Sequence, residues 1–266
     1  MKILVLGDAM TDAYWHGDVR RVSPEAPVPI FTVDRWERRE GAAANVANNI
    51  EAMGVPCERI FGRGERIHKI RAIARGQHFA RLDFDYPQEP IKVDSVFMDA
   101  ISRCSLVVMS DYGKGSLANV QELIQACGEK PVLVDPKGYD YDRYRGAALI
   151  KPNRDEMREL VGGWATQDEL DFKARQFLLA SGIASILLTQ ASEGMTLYTR
   201  AGTQHYPAEA AEVVDVSGAG ETAIAAYAAA LALGYAPAAQ YANRAAGIAC
   251  ARQGTAIVAG EDVWLK

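Results

Sequence analysis

Short apolar runs, separated by longer stretches with the period of a helix, set the pattern of this chain. Residues 3–6, 106–109, 132–134, 149–150 and 185–189 have the length and apolar character of buried strands. Residues 43–53, 93–102, 117–127, 154–160 and 168–180 instead repeat apolar positions at helical spacing. Strands that alternate with helices make βαβ units. The pattern therefore predicts an α/β protein with a central, mostly parallel sheet sandwiched by helices. Residues 220–233 and 237–252 predict two closing helices. Two segments, 20–33 and 69–85, break the rhythm with alternating runs that carry aromatic residues and arginines. Arg75-Gly76 is a turn signal between two strand-like halves, so the second segment reads as a hairpin. Together they predict a small β-flap on the main body, over about 16–35 and 68–86.

Composition narrows the class. A chain of 266 residues can bury one large α/β core, and no Pro/Gly/Ser-rich or charged linker divides it, so one domain over 1–266 is expected. The net charge of −5 argues against a nucleic-acid partner. No apolar run reaches the roughly 18 residues of a membrane span, and the N-terminal MKILVLGDAM is too short for a signal peptide. Cys57, Cys104, Cys127 and Cys250 form no CxxC pair, and His16, His68, His78 and His205 show no metal spacing. A disulfide framework is not expected, which fits a reducing, cytoplasmic compartment.

The strongest chemical signal is VVDVSGAGETAIAAYAAAL, residues 213–231. An extended stretch meets Gly218-Ala219-Gly220, which opens a long helix. Small residues let backbone approach a ligand, and the free N–H groups of a helix start attract an anion. Glu221 at that mouth is placed to take a proton from an attacking hydroxyl; it is equally a favourable acid in a helix's first turn. Asp12, just past the first strand, reads as a holder of sugar hydroxyls or as a turn or helix-capping Asp. Gly41 and Asn45, at the start of an Ala-rich helix, read as a close-approach site or as plain packing. Asn153 and Glu156 have the spacing of a capping box, or of a pair that organises a cation and phosphates. Thr189 and Gly194 mark a strand–loop–strand that could cradle a nucleotide. A GxxxxGK[ST] loop and a GxSxG elbow are both missing, which disfavours P-loop kinases and α/β-hydrolases.

Taken in order, these pieces resemble the ribokinase-like (PfkB) carbohydrate kinases. Within that family the chain is similar to the heptose-7-phosphate kinases of lipopolysaccharide-core precursor synthesis. The likeness rests on RVSPEAPVP (21–29), SDYGKG (110–115), DPKG (135–138) with RYRG (143–146), and ANRAAG (242–247). It implies a ribokinase-like fold with a β-lid that covers the sugar and mediates a homodimer. It implies ATP with Mg²⁺, and a phosphosugar, D-glycero-D-manno-heptose 7-phosphate, as the small-molecule partner, phosphorylated at the anomeric hydroxyl. The family's DTxGAGD motif falls on residues 215–221. That gives an anion hole from the amides of Gly218, Ala219 and Gly220, with Glu221 as the base. Asp12, Gly41 and Asn45 would bind the sugar. Asn153 and Glu156 would organise Mg²⁺ through water, Thr189 and Gly194 would form the nucleotide loop, and Asn243 would lie on the adenine side. Arg20, Arg21, Lys69, Arg71 and Arg81 are candidates for the substrate's own phosphate. The chain departs from the family in three places: Glu221 stands for an Asp, Ala42 for a second Gly, and a helix and strand expected between residues 62 and 68 are missing. A sugar- or nucleotide-binding pseudokinase, and a kinase for another sugar or a nucleoside, are the alternatives.

Overall fold

The computed structural model describes residues 1–138, 140–209 and 212–264. Strand β1 (Ile3–Gly7) is followed by two long strands, β2 (Ala9–Val22) and β3 (Pro29–Ala42), then by α1 (Ala43–Ala52) and β4 (Cys57–Phe61). β5 (Ile67–Ala74) and β6 (Gln77–Phe84) form the hairpin about Arg75-Gly76. Next come α2 (Ser95–Arg103), β7 (Leu106–Ser110), α3 (Val120–Ala126), β8 (Val132–Asp135) and β9 (Leu149–Ile150). They are followed by α4 (Arg154–Val161), α5 (Gln167–Ser181), β10 (Ser185–Thr189), β11 (Met195–Thr199) and β12 (Thr203–Tyr206). Helices α6 (Ala219–Leu233), α7 (Ala238–Cys250) and α8 (Gly260–Val263) close the chain.

Eight strands form the main sheet in the order β12-β11-β10-β9-β8-β7-β1-β4. Pairing is parallel from β4 to β10 and antiparallel only at β11 and β12. The apolar runs fill both faces, because successive side chains of a strand point opposite ways. Ile3 and Val5 pack with α1, α6, α7 and α8, whereas Leu4 and Leu6 pack with residues of α2, α3, α4 and α5. Helix α6 is buried almost all round, as an Ala-rich helix can be when neighbours approach closely. Gly234 in the left-handed conformation, φ 77°, ends it.

A second sheet has the order β3-β2-β5-β6. It takes in the segments expected as a flap and extends well beyond them, since β2 begins two residues after β1 ends. Asp12 therefore sits inside a strand, paired with Arg39 across to β3, rather than in a turn or at a helix start. Strands β4 and β12 were not expected from the sequence. Each lies at an edge of the main sheet, where half-exposed polar residues interrupt the apolar run. β4 leads through residues 62–66 straight into β5, so no helix or strand intervenes there. No helix among the described residues is long and apolar enough to cross a membrane.

Candidate active site

The C-terminal ends of β1, β7, β8 and β9 share one edge of the sheet, and each is followed by a charged residue: Asp8, Asp111, Asp135 at the end of β8, and Lys151. Open parallel sheets bind ligands at that edge. Asp8 is fully buried. One carboxylate oxygen accepts the amides of Tyr112 and Lys114 at 3.0 and 3.1 Å, and the other accepts that of Ser116 at 3.1 Å. This folds the loop after β7 so that the Tyr112 hydroxyl donates to the Glu221 carboxylate. Burial pushes the Tyr112 phenol well above its ordinary range, helped by the nearby Glu221 and Asp135 charges, so it stays a donor. Beside it opens a cavity of about 930 Å³.

Helix α6 begins at that cavity. Asp215 shapes the approach: its carboxylate accepts the amides of Ser217 at 2.9 Å and Gly254 at 2.8 Å. Gly218 takes φ +79° at the helix cap, and no side chain caps the helix. Of the three amides expected to form the anion hole, that of Ala219 already donates to the Val216 carbonyl at 3.3 Å. Those of Gly218 and Gly220 have no acceptor among the described residues. Of these two only Gly220 lines the cavity, so its amide, at the positive end of the helix dipole, is the part of the expected anion site that opens there. Lys151, 4% exposed, points its ammonium at Asp135, 3.0 Å away. Burial disfavours that ammonium, but the charge and hydrogen bond of Asp135 more than reverse the effect, so the proton is held. Burial pushes the Asp135 carboxyl up; Lys151 opposes this and Glu221 adds to it.

Asn153, Glu156, Thr189, Gly194 and Asn243 line the same cavity as Ala219, Gly220 and Glu221. Asn153 and Glu156 form a complete capping box on α4, so the structural role expected for them is realised. The second Glu156 oxygen lies 3.5 Å from the Lys137 ammonium. Thr189 ties β10 to this cap, its amide donating to the Pro152 carbonyl at 3.0 Å. A side chain at Gly194 would strike the Tyr206 carbonyl, so that loop admits only glycine. Asn243 donates to the Pro207 carbonyl at 2.8 Å. No cluster of three or more His, Cys, Asp or Glu suited to a metal exists among the described residues.

Asp12, Gly41, Asn45 and Gly218 do not line this cavity. Asp12 is buried and receives the Arg71 guanidinium at 2.5 Å, so half of its acceptor capacity is engaged. A side chain at Gly41 would meet the other Asp12 oxygen at 2.2 Å. Asn45, also buried, has an Nδ2 with no partner, 3.1 Å from where a Cβ on Gly218 would lie. Of these residues Asn45 reaches the start of α6, on the side away from the cavity lining. Ala42 holds φ 52°, a conformation suited to glycine.

The basic candidates for a substrate phosphate divide sharply. Arg20 pairs with Asp18, Arg71 with Asp12 and Arg81 with Asp83. Arg21 is exposed on the strand. Lys69 has no ion-pair partner among the described residues; it lies over the Tyr112 ring, 5.7 Å from its centroid. Burial, then Arg81, pushes its ammonium below the usual lysine range. The sequence reasoning missed Tyr112, Asp135 and Lys151. The signal was present: the strand-end rule applied to Asp12 applies equally after β7, β8 and β9.

A doubly covered sheet with its chemistry at the strand ends and at one helix start is the architecture of a sugar kinase. Residues 88–261 match the pfkB family of carbohydrate kinases, and the chain belongs to that family. It is 41% identical over 296 aligned residues to a D-beta-D-heptose 7-phosphate kinase of Bordetella bronchiseptica, covering 98% of this chain and 95% of that one. It is 41% identical to the bifunctional protein HldE of Pseudomonas putida, but spans only 62% of that protein's length. The aligned length of 296 exceeds the 266 residues here, so the Bordetella relative carries residues this chain lacks. The ribokinase of Thermotoga maritima superposes with a TM-score of 0.79 at 18% identity, over 98% of this chain and 97% of that one. The ribokinase of Arabidopsis thaliana, solved with ribose and ATP, gives 0.79 at 18% identity over 98% and 95%. These two show the ribokinase-like fold alone.

Proposed function

We propose that this carbohydrate kinase transfers the γ-phosphoryl group of ATP to the anomeric hydroxyl of D-glycero-D-manno-heptose 7-phosphate, giving the 1,7-bisphosphate, in the cytoplasm. The observation that carries this reading is the mouth of α6, where the Glu221 carboxylate and the open amide of Gly220 line one cavity, with the unpaired Gly218 amide just behind them in the chain. Glu221 takes the acceptor proton as the acceptor oxygen forms its bond to phosphorus. The Gly220 amide at the helix start receives the charge of the transferred group. Asn153, Glu156, Thr189, Gly194 and Asn243 hold the nucleotide side. Mg²⁺ bound to the nucleotide phosphates would neutralise their charge. It usually keeps several waters, which suits a site where Asn153 and Glu156 would hold it at one remove. Lys69 binds the phosphate of the sugar: like Arg21 it has no carboxylate partner among the described residues, but it is half-buried and lies over Tyr112 beside the cavity.

Release of ADP with heptose 7-phosphate present, and none without it, tests the reading. Replacing Glu221 by Gln should cut turnover by roughly a hundredfold to ten-thousandfold. Calorimetry that shows both substrates bound with no turnover would instead make the chain a pseudokinase. Glu221 facing the cavity with a hydroxyl donor on it speaks for turnover. Lys69→Met should raise KM for the phosphosugar and leave that for ATP unchanged.

A further inference from the structure

The cavity wall holds a buried cation that the reading above leaves without a task. Lys151 follows β9, and the stem of its side chain is enclosed. Its ammonium has three donors. Asp135, at 3.0 Å, is its one ion-pair partner among the described residues. The ammonium also presses on the start of α6: a Cβ on Gly220 would lie 3.1 Å from it. Gly220 has no positive φ, and a Cβ there would require the ammonium to give way by a few tenths of an ångström. Lys151 therefore sits beside Gly220, whose amide is open, on the wall it shares with Glu221 and Asn153.

Charge balance sets what such a group is for. The cavity is lined by Asp111, Asp135, Asp155, Glu156, Glu209 and Glu221, an acidic surround that repels phosphate, and Arg154, also on its wall, is paired with Glu193. Lys137, the other lysine there, is more than half exposed and engaged with Glu156. A buried ammonium is costly to keep unless something repays its desolvation, and a single carboxylate leaves donors to spare.

We propose that Lys151 is a catalytic residue of the phosphoryl transfer. Its ammonium, steadied by Asp135 beside Gly220, meets the oxygens of the phosphoryl group in flight and shares its charge with the Gly220 amide. The bond from the acceptor oxygen to phosphorus forms as the bond to the ADP bridging oxygen breaks. The acceptor proton goes to Glu221, and Lys151 keeps its own. This rests on the kinase reading above.

The test is Lys151→Met, which keeps the stem and removes the charge. Turnover should fall roughly a hundredfold to a thousandfold, the usual effect of losing one such donor. KM for ATP and the Kd for ADP should stay within about threefold. In the unaltered protein, fluoroaluminate should raise the melting temperature beyond ADP alone; in the variant that increment should vanish. Lys151→Met leaves Asp135 buried and unpaired, which can unfold a protein. The pair Lys151→Met with Asp135→Asn removes both charges and should show the same losses. Either variant turning over within about fivefold of the unaltered protein, or keeping the fluoroaluminate increment, overturns the proposal. So does an equal loss of ADP binding, which marks a structural role. An unaltered protein that turns over no phosphosugar defeats the kinase reading itself, and this one with it.

Discussion

Ala42 holds a backbone angle that an L-residue adopts at a cost of about 1–2 kcal/mol. It stands where β3 becomes α1, beside Gly41 and Asp12. Ala42→Gly should relieve that strain, and the urea midpoint should rise by about 1 kcal/mol equivalent with no change in m. Asp135 gives a second prediction at this scale. Its carboxyl titrates above the ordinary value of about 3.9, chiefly through burial. Between that value and the raised one, the folded chain keeps a proton that the unfolded chain has released. The stability this group contributes is therefore greatest at the acid end of the interval and falls as pH rises through it. Asp135→Asn should flatten that part of a curve of urea midpoint against pH. A curve with the same slope in both proteins would show that Asp135 is not the group responsible.

At the scale of elements, α4 depends on its first turn. Asn153 accepts the amides of Asp155 and Glu156, and Glu156 answers by accepting the Asn153 amide. Asn153→Ala should cost about 1 kcal/mol, read as a lower melting temperature without nucleotide. The same box was legible in the sequence, as were the five buried strands, because a strand covered on both faces is apolar throughout. β4 and β12 were not legible, since an edge strand shows one wet side and mixes Glu58 and Arg59 or Gln204 and His205 into the run. Neither was the length of β2. Nothing local in Ala9-Met10-Thr11-Asp12 tells a turn from a strand; the pairing of Asp12 with Arg39 decides it. At the site, the glycines and Glu221 were legible as a motif. The engagement of the Ala219 amide and the placement of Lys151 arise from tertiary packing that no spacing encodes.

The whole molecule leaves one feature uncovered. Strand β6 is an edge of the second sheet and is exposed along its length, with Phe79, Leu82 and Phe84 each at least 40% accessible. Edge strands of this kind invite pairing, and Trp36 on β3 adds apolar area at 56% accessibility. We propose a homodimer through this sheet. Light scattering after gel filtration should report twice the chain mass, and Leu82→Lys should shift it to the single mass. A single mass in the unaltered protein would dismiss the assembly.

Only Asp8 separates β1, in the heart of the core, from β2, which runs out into the second sheet. The same residue grips the amides of Tyr112, Lys114 and Ser116 through its carboxylate. A tilt of the outer sheet cannot be absorbed by slack chain at this joint. It must pull on Asp8, and through that grip on the tyrosine that touches Glu221. The placement of the outer sheet is thereby tied to the residue proposed above as proton acceptor.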